Sequence, residues 1–146
     1  MAITQAICNS FKKQLLEGDA NFSSSSGDKF KLALYTSSAT LNSATTSFTT
    51  GNQVSNSGQY TSGGGLLVNL ATSITAGVAR VDFADRSFTG VTITARGAQI
   101  NNTSSAVTNA AVCVLDFGGD KTATSGVFTI QFPAQTSTAA ILRISG

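Results

Sequence analysis

One stretch of the chain carries residue types that could bind a metal ion or a phosphate. Leu115–Gly126 reads LDFGGDKTATSG and begins with the Asp-Phe-Gly triplet that holds magnesium in protein kinases. In a kinase that aspartate works beside a strand lysine, a catalytic aspartate and an asparagine, and none of these partners can be identified here. A phosphate-binding loop needs a Gly-Lys-Ser/Thr ending and a following helix. Here the strand-like VFTIQF follows instead, so the triplet does not predict ion binding.

The same stretch is better explained as a turn between two strands. Asp116 alternates with two valines, as residues on a strand do. Gly118–Asp120 then supplies residues that tolerate a left-handed backbone, which a chain reversal requires. We therefore predict a hairpin connection at this point.

The absence of histidine restricts the chemistry further. The sequence has no histidine and two cysteines, Cys8 and Cys113. A Ser-His-Asp or Cys-His arrangement is therefore impossible, and two cysteines cannot supply a four-ligand zinc site. Both cysteines have apolar neighbours, which predicts buried, unreactive thiols. We predict that the protein is not an enzyme and has no catalytic residue, cofactor, metal site or small-molecule substrate.

The nearest acidic pair, Asp82 and Asp85, has an arginine on either side. Paired carboxylates can do acid–base chemistry when one lies in an apolar pocket, but Arg80 and Arg86 favour a network of salt bridges on the sheet surface. Arg96 is flanked by small residues. We expect it either to bind a carboxylate of a partner protein or to pair with Asp82 or Asp85.

Length and composition indicate a single domain, 1–146, with a low surface charge. Charged residues make up 11% of the chain and the net charge is +2, too small a positive charge to predict nucleic-acid binding. No run approaches the roughly 18 apolar residues of a membrane span. Basic residues follow the first apolar ones, unlike in a signal peptide, so we expect synthesis in a cytoplasm and no membrane association.

The first residues have the apolar spacing of one amphipathic helix. Ile3, Ile7, Phe11 and Leu15 recur at every fourth position, which predicts a helix over 3–17. Gly18 is placed to cap its C-terminus. A polar linker over 19–28 follows.

Beyond the linker the apolar period changes from four to two. In KFKLALYT, for example, Phe30, Leu32 and Leu34 share one face, and six further segments have strand character. These strands follow one another without helices between them, which argues against a parallel sheet. We predict a mainly β fold in which 29–146 form an antiparallel, jelly-roll-like β-sandwich and the N-terminal helix covers an open face or edge.

A long polar segment, about 37–65, interrupts the strands. Loops of this length are uncommon and are often functional, whereas the simpler alternative is an irregular hairpin or edge strand. For a functional loop, Phe48 and Tyr60 are the aromatic side chains that a partner contact would bury. Phe48, Tyr60 and Arg96 are thus the predicted partner-contact residues.

Several segments in order resemble small structural proteins of tailed bacteriophages. They are GDKFKLALYTSSATLNSATT, GQYTSGGGLLVNL, DFADRSFTGVTITARGAQINN and AVCVLDFGGDKTATSGVFTIQFP. The resemblance extends from about Ile3 to Ile144 and includes no enzymatic motif. It implies a virion protein, and proteins of this size in virions often act as capsid decoration (cement) proteins. The expected role is then to bind the outside of the shell as a homo-oligomer, in contact with the major capsid protein.

Two other roles fit the same sequence. The chain could be a tail-associated protein, such as a tube, terminator or fibre-associated subunit. It could also be a receptor-binding module, although two tyrosines and no tryptophan favour that role less.

Overall fold

The chain folds mainly into antiparallel β-strands with one short helix, as the sequence predicts. A computed structural model describes residues 2–133 and 140–145. Its elements are β1 (Ala6–Ile7), α1 (Asn9–Leu16), β2 (Phe30–Tyr35), β3 (Gly65–Leu66), β4 (Ser73–Thr75), β5 (Val78–Val81), β6 (Arg86–Asn102), β7 (Ala110–Ile130) and β8 (Leu142–Ile144).

The strands form two sheets. The larger has the order β1-β7-β6-β2-β3, and the smaller has the order β4-β5-β8. Neighbouring strands are antiparallel in both sheets. The mainly β, antiparallel class is therefore confirmed, while the sandwich or jelly-roll arrangement stays a prediction.

The predicted turn at Gly118–Asp120 is wrong, because this stretch is a bulge inside β7. Ala95 of β6 pairs with Lys121, and Gly97 pairs with Asp116. Arg96 alone therefore lies opposite the four residues Phe117–Asp120. Gly118 has a φ of 79°, so its left-handed backbone lets the extra residues leave the ladder without reversing the chain.

The reversal between β6 and β7 lies instead between Asn102 and Ala110. Asp19, just after the helix, holds this loop with both carboxylate oxygens. Ser105 Oγ donates to Oδ2 at 2.6 Å, and the Ala106 N–H donates to Oδ1 at 3.2 Å. These bonds lower the pKa of Asp19, with the Ser105 bond the larger cause.

The helix is shorter than the predicted 3–17, since its first two predicted turns are extended. Ala6 and Ile7 pair with β7 as an edge strand, and the Cys8 N–H donates to the carbonyl of Val112 at 3.0 Å. The outer edge of β7 needs hydrogen-bond partners, and β-branched residues such as Ile3 and Ile7 suit an extended backbone. Hydrogen bonds to β7 thus favour a strand at Ala6–Ile7, although the apolar spacing there predicts a helix.

The C-terminal cap of the helix is confirmed. Gly18 has a φ of 75°. Its N–H donates to the Leu15 carbonyl, and the Asp19 N–H donates to the Gln14 carbonyl. This pair of bonds is a Schellman motif.

The long segment 37–65 packs onto the sheet. It contains isolated bridges, and Ala39, Leu41, Val54 and Tyr60 are buried within it. The irregular edge strand, of the two alternatives, describes it better. A partner arm that orders only on contact is incompatible with four side chains in the core.

Phenylalanine rings join the helix, the linker and the larger sheet into one core. Phe22, in the linker, stacks on Phe30 at a ring distance of 4.6 Å, and Phe11 of the helix meets Phe22 edge-on at 5.9 Å. Phe83 lies 5.5 Å from Phe30 and 5.9 Å from Phe132. Ring pairs at these distances add to the stabilisation from burial alone.

Candidate functional site

Tyr60 is a core residue, so its predicted role as a surface anchor is wrong. Its side chain is fully buried, and its ring meets Phe88 edge-on at 5.1 Å. The phenol oxygen accepts the Leu34 N–H at 2.8 Å. Because β3 pairs only with Lys31 and Leu32, the outer edge of β2 beyond that point is completed by Tyr60 and by Val54, whose N–H donates to the Leu34 carbonyl.

Phe48 is half-buried and packs against the core. Its backbone N–H donates to the carbonyl of Asn109 at 2.9 Å, which ties the long segment to the start of β7. The ring therefore contributes to folding, and a partner contact through Phe48 stays a prediction.

Arg96 pairs within the chain, but with neither of the two aspartates considered from the sequence. Its Nε donates to Asp116 Oδ1 at 3.0 Å, and the same oxygen accepts the Gly118 N–H at 2.9 Å. The Gly118 bond first, and Arg96 second, lower the pKa of Asp116. The pair of Arg96 on β6 and Asp116 on β7 thus connects the two strands at the bulge.

The predicted salt-bridge network around Asp82 and Asp85 is wrong for the described part of the chain. Arg80 donates instead to the hydroxyls of Ser73 and Thr75 at 3.0 and 2.7 Å. Asp85 accepts the Phe132 N–H at 2.9 Å, and burial is the main cause of the raised pKa of Asp82.

Arg86 is likewise paired with an aromatic ring rather than a carboxylate. Its guanidinium lies 4.7 Å from the centre of the Phe88 ring. Ion pairs between described residues include Lys13–Glu17, at 3.2 Å, and Arg96–Asp116.

The groups capable of covalent or metal chemistry are dispersed or buried. Cys8 and Cys113 are both buried free thiols, as predicted. Burial raises their pKa values to about 11 and about 12, which suppresses the nucleophilic thiolate. No three metal-binding side chains lie together within the described ranges, and no helix there is long and apolar enough to span a membrane.

An exposed apolar stripe, formed by Leu66, Val68 and Leu70, is the first surface with binding character. These side chains are between 39% and 62% exposed, whereas Leu67 between them is buried. The next intervening side chain, Asn69, donates to the carbonyls of Ser23 and Asp28. The alternation thus places the apolar residues outward and holds a buried leucine and a bonded asparagine inward.

The backbone beneath the apolar stripe is fixed from both sides. The Leu67 N–H donates to the Phe30 carbonyl at 2.8 Å. On the opposite side the Leu70 N–H donates to the Asp82 carbonyl at 3.1 Å, and the Ala84 N–H donates to the Val68 carbonyl at 3.0 Å. The backbone that carries these apolar side chains is therefore already ordered before a partner binds.

A second surface, the helix–sheet cleft, lies between α1 and the three-stranded sheet. Its volume is about 630 Å³. One side includes Phe11 and Leu15 of the helix and Ile7 of β1, and the other includes Val81 and Leu142 of the three-stranded sheet. Three further apolar residues that line it, Leu16, Ile74 and Ile144, are between 59% and 90% exposed.

Sequence reasoning missed both surfaces for one reason. Alternating apolar residues predict which side chains share a face, but not which face is covered. In GLLVNLA the period would place Leu66, Val68 and Leu70 inward. The hydrogen bonds that the Asn69 amide donates and the burial of Leu67 reverse that assignment, and no local signal marks the reversal.

Comparisons of the chain with protein-family profiles, with curated proteins and with solved structures found no match.

Proposed function

We propose that this chain is a structural protein of a bacteriophage virion, a capsid decoration protein on the outer surface of the shell. Its partners are the major capsid protein and further copies of itself, and its action is to stabilise the shell through protein–protein contacts. The apolar stripe carries the proposal, together with the resemblance of the chain to phage structural proteins.

The physical argument is one of preorganisation. Exposed apolar side chains that lie together mark binding surfaces on soluble domains. Leu66, Val68 and Leu70 extend from backbone bonded on both sides, so little conformational entropy is lost when they are covered. Many copies on a repeating lattice let modest contacts sum to stable attachment.

Binding to isolated shells tests the proposal. Expanded shells lacking the protein are incubated with wild type or with a triple variant, Leu66→Ser, Val68→Ser and Leu70→Ser, and bound protein is measured after sedimentation. We expect wild type to bind at a fixed ratio and to raise the temperature of shell disruption. The triple variant should bind roughly tenfold more weakly or worse, because it removes apolar contacts at an interface.

A matched control separates the stripe from exposed apolar residues in general. Val127 is 58% exposed on β7 and is not part of the stripe, and Val127→Ser should bind like wild type. Thermal unfolding should be almost unchanged in all variants, since exposed side chains contribute little to folding. Shell binding by the folded triple variant at wild-type strength, or no binding by wild type, would contradict the proposal.

A further inference from the structure

The helix–sheet cleft differs from the apolar stripe in shape and in charge. Its volume of about 630 Å³ lies in the range of about 300–1,000 Å³ that is typical of small-ligand sites. The charged residues that line it are Lys12, Arg80 and Arg143, and no aspartate or glutamate does so within the described residues. An occupant should therefore combine an apolar body with negative charge.

Hydrogen bonding distinguishes between occupants of that kind. An extended peptide would fit, but its amides need hydrogen-bond partners, and most of the lining side chains are apolar. An alkyl chain brings no polar group into the cleft.

The exposed leucine and isoleucines support the same occupant. Leu16, at the end of α1, is 90% exposed, and Ile74 and Ile144 are 71% and 59% exposed. All three line the cleft together with the buried Phe11 and Leu142. The apolar surface is therefore continuous from the core outward, as a long, narrow, apolar ligand requires.

We propose that the helix–sheet cleft binds a free long-chain carboxylate, with the alkyl chain between α1 and the three-stranded sheet and the carboxylate towards Lys12. The site binds its ligand without turnover. It goes beyond the shell-binding role and uses none of the stripe residues, so the two proposals fail independently.

Calorimetric titration with three ligands that share one alkyl chain tests the proposal. Dodecanoate and dodecyltrimethylammonium are titrated into the full chain below their micelle concentrations, and dodecanol is titrated below its solubility limit. We expect dodecanoate to bind about tenfold more tightly than the cationic ligand, because the cleft carries positive charge near the surface. Dodecanol should lie between them. Equal affinity for the anion and the cation, or no binding of dodecanoate, would overturn the proposal.

Variants locate the bound ligand. Leu16→Ser combined with Ile74→Ser should weaken dodecanoate binding about tenfold, and Lys12→Glu should remove the preference for the anion. Val127→Ser, outside the cleft, is the matched control and should bind like wild type. Unfolding temperatures close to wild type show that each variant is folded. Undiminished dodecanoate affinity in the folded double variant would place the ligand elsewhere and refute the assignment.

Discussion

Replacing Tyr60 with phenylalanine should destabilise the fold through a single missing oxygen. The phenol accepts the N–H of Leu34, a fully buried residue on β2, at 2.8 Å. Phenylalanine keeps the ring and its edge-on contact with Phe88 at 5.1 Å, so no cavity opens. The variant leaves the buried Leu34 N–H without an acceptor and also removes the longer bond, 3.5 Å, that the phenol donates to Gln53 Oε1.

A buried donor that loses its partner costs about 1–3 kcal/mol of folding free energy. For a chain of 146 residues this corresponds to a fall of roughly 2–12 °C in Tm, at about 2–4 °C per kcal/mol. Urea unfolding followed by circular dichroism measures the same loss as a lower midpoint with an unchanged slope.

Tyr35→Phe provides a matched control for the Tyr60 variant. The Tyr35 hydroxyl donates to the carbonyl of Thr49 at 2.7 Å in a part-buried position. Water can reach that carbonyl more easily, so Tyr35→Phe should cost less than Tyr60→Phe. A loss below about 0.5 kcal/mol for Tyr60→Phe, or one no greater than that of the control, would refute the view that this phenol completes the edge of β2.

Three further perturbations have definite expected results. Gln99 is fully buried and neither its amide nitrogen nor its amide oxygen has a partner in the described structure, so Gln99→Met should stabilise the fold by about 1–2 kcal/mol; a loss of stability on urea unfolding would show that the amide is satisfied by water. The two thiols should contribute fully to the free energy of unfolding below about pH 9. That contribution should be lost as the pH rises towards 11 and 12, because the folded pKa values of Cys8 and Cys113 are raised from 9.0. Each thiol contributes a slope of up to about 1.4 kcal/mol per pH unit, and a flat profile, or one unchanged in Cys113→Ala, would contradict this. Asp116→Asn and Asp120→Asn should leave shell binding intact, and magnesium or calcium should not raise the Tm of wild type; metal protection that both variants abolish would revive the ion-binding interpretation.

The fold class was predictable because apolar residues at every second position indicate β-strands. Phe30, Leu32 and Leu34 are all buried on β2, as their spacing indicates. The helix was predicted too long because Ile3 and Ile7 satisfy a helical period and a strand equally well. The choice between them depends on the edge of β7, far along the chain.

The bulge and the candidate surfaces could not be predicted for a related reason. Gly118 supplies a left-handed backbone to a turn or to a bulge, and only the β6 partner decides between them. The Leu34 amide and the Tyr60 phenol are 26 residues apart, so the burial of Tyr60 is a long-range property. The outward direction of the apolar stripe depends on Asn69 reaching the linker, which is also non-local.

Counting the copies of this protein in purified particles of the phage that we propose encodes it tests the central proposal most directly. Quantitative mass spectrometry, calibrated against the major capsid protein, gives that number, and imaging of the same particles gives the position. A decoration protein should be present in fixed proportion to the shell subunits and lie on the outer surface. A copy number that is a small fraction of the shell protein, with density confined to the tail, would contradict the account.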